Sequence, residues 1–140
     1  MPNDPTTSET ASQPLIAQSL GVSLTVADIR RSLAWYRDVL GFSLDREHER
    51  DGRLIAVSLR AGEIRILLTQ EDGAKGVDRV KGQGFSLQIT TSQDIDALAA
   101  NAKRAGAALD SEPTDAWGVR VFRLRDPDGF RLVLSSPRSE

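Results

Sequence analysis

The segment GVSLTV, Gly21 to Val26, returns at Gly84 to Ile89 as GFSLQI, with glycine, serine and leucine in the same places. In both, apolar residues fall on alternate positions, the period of a strand with one buried face. A helical pattern follows each copy. After the first, Asp28 is placed to cap a helix whose Ile29, Leu33, Tyr36 and Leu40 share one face and which Gly41 stops. After the second, Ser92 is the expected cap of a helix carrying Ile95, Leu98, Ala102 and Ala105, stopped by Gly106. FSLDREHE, RLIAVSLR and EIRILLTQ then have the character of three strands. The closing hairpins also correspond: SLRAGEIRILL lies over RLRDPDGFRLVL, so that Ile64 matches Phe130 just as Ile29 matches Ile95, a constant offset of 66 residues. A repeat of this kind dictates architecture. It predicts an α+β domain over residues 20–136 in which a βαβββ module at 20–70 is followed by a linker at 71–81 and a second module at 82–136. Each helix covers the apolar face of its own small sheet, which leaves the other face for something else.

Composition removes several function classes. With 18 basic against 20 acidic residues and a net charge of −2, nothing draws the chain to nucleic acid or to an anionic membrane. The absence of cysteine rules out disulfides, thiolate nucleophiles and zinc–thiolate sites, and suits the cytoplasm. Apolar runs are a few residues long, far short of a membrane span. Residues 1–19 hold no Lys or Arg and are rich in Pro, Ser and Thr, the composition of a flexible tail, to be ordered only by a partner chain.

LTVADIRRSLAWYRDVLGF, WGVRVFRLRDPDGFRLVL and the duplicated βαβββ order together resemble the vicinal oxygen chelate superfamily, the glyoxalase, bleomycin-resistance protein and dioxygenase family. The resemblance implies two modules forming an incomplete β-barrel with helices on the outside, usually in a homodimer that sometimes exchanges segments. Metal-dependent members draw ligands from the start of each module's first strand and the middle of each last strand. Carried over, those positions are Gly21 and Gly84, and Leu67 and Val133, where relatives with a metal have Glu at the last. None offers a donor to a divalent metal. The only histidine is His48, in a charged strand, so no two-histidine site fits in one chain. Asp126 and Asp128 flank Pro127 ahead of Gly129, which is turn chemistry.

Strand alternation leaves Ser23, Arg65, Leu67, Gln88, Trp117, Arg123, Arg131 and Val133 facing the hollow as the candidate ligand-binding set. Of the two aromatic neighbours Trp35 and Tyr36, only one can point squarely into the core. An apolar floor ringed by guanidiniums suits an anionic or neutral small molecule, and Arg forks carboxylate or phosphate. The expected function is binding of a small molecule, including an antibiotic, by a homodimer without metal or other cofactor. The competing reading is a glyoxalase-type metal-dependent lyase, isomerase or dioxygenase, whose chemistry depends on Lewis-acid polarisation. Enzyme activity is therefore not the favoured reading.

Overall fold

A computed structural model of the chain describes residues 13–74 and 79–138. The first module runs β1 (Ser23–Val26), α1 (Ile29–Leu40), β2 (Ser43–Arg50), β3 (Arg53–Ala61) and β4 (Ile64–Gln70). The second runs β5 (Leu87–Thr90), α2 (Ile95–Arg104), β6 (Leu109–Ala116), β7 (Val119–Arg125) and β8 (Arg131–Pro137). Each forms an open four-stranded mixed sheet, ordered β1-β4-β3-β2 and β5-β8-β7-β6, with the first strand parallel to the last and the other pairs antiparallel. The α+β duplication read from the sequence is the architecture, built of two open sheets as an incomplete barrel requires. Residues 13–20 are exposed and belong to no element; the remainder of the expected tail, 1–12, and linker residues 75–78 lie outside the described residues.

α1 begins where Asp28 accepts from the Arg31 amide and ends at Gly41, whose φ of 78° permits its amide to close on the Arg37 and Tyr36 carbonyls. The buried stripe is Ile29, Ser32, Tyr36 and Val39, whereas Leu33 and Leu40 are only half-buried at its flank. Tyr36 takes the core and Trp35 packs edge-on against it at 5.0 Å. α2 departs from the expectation in its cap. Asp94 fills that place instead of Ser92, because the side chain that can reach the first free amides belongs to the residue just ahead of the helix, and Asp94 Oδ1 accepts from Asp96 and Ala97. The strand expected from Gly84 starts only at Leu87, since Gly84 has a φ of 84°, outside the extended region.

One continuous core runs through both modules, from Leu24, Val57, Leu59 and Leu68 through Tyr36 and Ala99 to Phe122, Leu124 and Leu132. The modules meet through α1 and α2 and through the Asp126-Pro127-Asp128-Gly129 turn between β7 and β8. The turn is closed by the Gly129 amide on the Asp126 carbonyl, and Asp126 Oδ1 accepts from the Asp128 and Phe130 amides. Its other oxygen receives the Tyr36 hydroxyl at 2.8 Å, across ninety residues of chain. Asp128 reaches the same helix: Oδ2 accepts from the Ala27 amide and from Lys81, and Oδ1 from the Ser32 hydroxyl. Lys81 also pairs with Glu71 at 3.2 Å, and Arg79 joins at 3.1 Å, so both ends of the linker are tied to the junction. The Arg79 hydrogen bond, with help from Lys81, holds the Glu71 carboxyl below its ordinary range. The DPDG signature is thus turn chemistry, as expected, and also the clamp between modules. Among the described residues no helix is long and apolar enough to cross a membrane.

Gly82 presses on the clamp. A Cβ there would stand 2.9 Å from the Gly129 carbonyl oxygen and 3.0 Å from Phe130 Cα, at a φ of 80°. Gly82→Ala is expected to lower unfolding free energy by about 1–3 kcal/mol in urea titrations. Gly21→Ala, whose Cβ meets nothing within 4 Å, should stay within about 0.5 kcal/mol of the parent.

Candidate functional site

The ladders put the sequence-derived candidates on two surfaces. On the uncovered face of the first sheet Ser23 sits beside Leu67, which lies beside Ser58, with Arg65 one step away next to Arg60. On the second sheet Gln88 sits beside Val133, which lies beside Arg123, with Arg131 one step away next to Arg125. Each surface therefore has a half-buried aliphatic centre flanked by a polar side chain and by arginine. Arg65, Arg123 and Arg131 are exposed, and among the described residues none has a carboxylate within ion-pair distance. Their neighbours differ: Arg60 approaches Asp45 at 4.0 Å and Arg125 holds Asp110 at 2.8 Å.

Two of the expected relations do not hold within one chain. The surfaces are not joined: the modules meet through the helices and the DPDG turn, and the two sheets share no ladder. Cavities of about 1120, 500, 400 and 380 Å³ lie along the junction and rims, and none is lined by any of the eight candidates. Trp117 also stands apart. It occupies the tip of the β6–β7 hairpin, 99% exposed, six residues along β7 from Arg123, roughly 20 Å at the rise of a strand. That distance exceeds the reach of an indole, so Trp117 does not share a floor with Val133 and Arg131.

The ladders also correct one position of the ligand set. Leu24 pairs with Leu68, whereas Ile89 pairs with Leu134, the residue equivalent to Leu68 under the repeat. Ile89, not Leu87, is the counterpart of Leu24, and three residues before each stand Gly21 and Ser86. The text match of GVSLTV to GFSLQI is thus out of step with the sheet by two residues, and Ser86 replaces Gly84 as the fourth position. The corrected set of Gly21, Leu67, Ser86 and Val133 contains one neutral hydroxyl and no imidazole, carboxylate or thiolate, so it does not fit the divalent metal of the family's enzymes. Among the described residues no three His, Cys, Asp or Glu side chains come together as a metal cluster.

His48 lies on β2, exposed and opposite Ala56. Single-strand reading missed Ser58 and Ser111, which the ladders place beside Leu67 and Arg123; no sequence signal sets which residues of different strands become neighbours. Ser111 Oγ is a buried side-chain oxygen with no hydrogen-bond partner among the described residues. At the clamp, burial raises the Asp126 carboxyl above its usual range despite three donors that pull it down. Burial, then the Asp126 charge, pushes the Tyr36 phenol well above its ordinary value. Neither group opens onto a cavity of the two faces, so these are junction residues.

Residues 18–134 match the Glyoxalase/Bleomycin resistance protein/Dioxygenase superfamily, and the chain belongs to it. A curated relative, lactoylglutathione lyase GLX1 of Arabidopsis thaliana, is 26% identical over 130 residues, covering 86% of this chain. The chain spans 45% of that relative's length. Among solved structures, TnmS3, described as an antibiotic binding protein from Streptomyces sp. CB03234, superposes with a TM-score of 0.69 at 21% identity over 90% of this chain and all of that one. TioX from Micromonospora sp. ML1 gives 0.68 at 22% over 87% of this chain and 100% of its own. A superfamily member from Sphaerobacter thermophilus DSM 20745 gives 0.70 at 22%, over 86% and 98%. At these identities the superpositions establish the fold alone.

Protein purified without chelator should carry well under one transition-metal ion per chain by elemental analysis. Titration with zinc, nickel or manganese should give no stoichiometric heat. One tightly held ion per chain would contradict the reading of the four positions.

Proposed function

We propose that this protein is a metal-free small-molecule-binding member of the superfamily, acting in the cytoplasm as a homodimer. The observation that carries the reading is the corrected quartet: where relatives with a metal place donors, this chain has hydrogen, two aliphatic side chains and one hydroxyl. The scaffold is retained without a means of Lewis-acid polarisation. Ser23, Arg65 and Leu67 of one copy would face Gln88, Arg123, Arg131 and Val133 of another, closing a hollow that a single chain leaves open. Its lining of aliphatic floor and guanidiniums without a carboxylate partner among the described residues suits a ligand with an apolar body and a carboxylate, phosphate or similar acid. The antibiotic-binding description of TnmS3 supports an antibiotic as one such ligand.

The similarity to a lactoylglutathione lyase favours a second reading, metal-dependent isomerisation or lysis. It requires donors from residues outside the quartet.

A thermal-shift screen of acidic metabolites and antibiotics tests the proposal. A ligand at a hundred times its dissociation constant adds about 2.7 kcal/mol of stability. Arg131→Ala should abolish the shift given by an acidic hit while leaving the ligand-free melting temperature unchanged, since the side chain is exposed and has no ion-pair partner among the described residues. Restoration of lyase or isomerase turnover by adding a divalent metal to stripped protein would favour the second reading instead.

A further inference from the structure

The repeat supplies an internal control for one residue. Asp51-Gly52 and Trp117-Gly118 occupy equivalent two-residue hairpin turns, 66 residues apart, between the ladder pairs Arg50–Arg53 and Ala116–Val119. Their backbones agree: φ is 53° and 76° in the first, 56° and 80° in the second. Positive φ at both positions is the geometry for which Asp-Gly and Asn-Gly are selected, and a bulky residue there is an outlier. The first module has the residue the turn favours. The second has a tryptophan in the strained conformation, with its whole indole in water. Among the described residues nothing covers the indole, and strain of this kind points to function. The base of the hairpin is also tied to its surroundings. The Arg138 amide donates to the Gly118 carbonyl, Arg138 and Arg120 both bind Asp115, and Arg120 reaches Asp96 on α2 at 2.9 Å.

A second uncovered apolar element lies in the same chain. Leu15, Ile16 and Leu20 in the segment before β1 are 89%, 87% and 93% exposed. Because β1 runs parallel to β4, this arm departs beside the β3–β4 turn at Gly62 to Ile64. That turn lines the large groove together with Ser92 and Gln93, and the same two residues line the recess formed by Arg120, Ser136 and Arg138 at the base of the hairpin. The turn beside the arm exit and the base of the Trp117 hairpin thus border the same loop, and neither the arm nor the indole lines the groove or the recess.

We infer that Trp117 is an anchor for a second copy of this chain, covered by Leu15, Ile16 and Leu20 of that copy. The inference rests on the homodimer reading above. Tryptophan is among the side chains most enriched where such contacts carry their energy, and a two-fold operator makes the contact twice.

The test measures dimer dissociation by analytical ultracentrifugation for the full chain, Trp117→Asp, the triple variant Leu15→Ser/Ile16→Ser/Leu20→Ser, and their combination. Trp117→Asp restores the residue of the equivalent turn, so its thermal stability at low protein concentration should equal or exceed the parent's. Its dimer should be at least about tenfold weaker, as truncating an anchor demands. The triple variant should lose as much, and the combination no more than either, because both remove one contact. In a Trp35→Phe background the remaining indole should resist acrylamide quenching in the dimer and lose that protection in the triple variant. An unchanged dimer, additive losses, or an indole quenched equally in dimer and monomer would each overturn the inference while leaving the homodimer intact. A single-chain mass at every concentration would remove both.

Discussion

The carboxylate of Asp126 carries the junction on which the rest of the structure depends. It is nearly sealed from water, and its oxygens hold three donors: the amides that shape the β7–β8 turn and the hydroxyl of Tyr36 on the other module's helix. A buried acceptor is costly unless it is satisfied, and a satisfied one fixes geometry. The same turn gives Asp128 to Lys81 and to the start of α1, and brings its backbone against Gly82. Three chain segments distant in sequence meet there, so the placement of one module on the other is set by polar contacts at the rim of an apolar core.

That placement bears on the proposed function. The modules are joined through helices and turn, and each sheet carries an aliphatic centre beside arginines that have no carboxylate partner among the described residues. Neither face alone encloses a ligand. In the function proposed above, the two faces meet across a homodimer, and the quartet of Gly21, Leu67, Ser86 and Val133 leaves that proposed site to binding. Fold and function separate here as they do in other widely used architectures: the scaffold is shared and the lining decides the chemistry.

Most of the fold was legible because its signals are local. Alternation in Val22, Leu24 and Val26, the Asp28 cap and the Gly41 stop each depend on residues within a few positions, and duplication doubled the information. What was not legible depended on contacts between distant segments. Periodicity places Tyr36 in the core but says nothing of the carboxylate ninety residues away that its hydroxyl meets. The text alignment of the two first strands favours Gly84, while the parallel ladder to β8 selects Ser86, because a register is decided by packing between strands. Trp117 failed for another reason. Alternation assigns a face only to residues inside a strand, and this one sits in the turn beyond it. Of the candidate site, local alternation therefore assigns residues to the face of a strand, and it does not say which faces come together.

The chain has one tyrosine, which makes the junction directly observable. Burial and the adjacent Asp126 charge keep the Tyr36 phenol protonated in the folded state well above its ordinary range, so native protein binds a proton that unfolded protein releases, and stability falls as pH rises through the unfolded value of about 10. Spectrophotometric titration of phenolate, followed alongside far-ultraviolet circular dichroism, should show no ionisation while the fold persists, and then a single step coincident with unfolding. Phenolate appearing near pH 10 with the circular dichroism still native would mean that Tyr36 is not sealed against Asp126, and the account of how the modules are joined would be wrong.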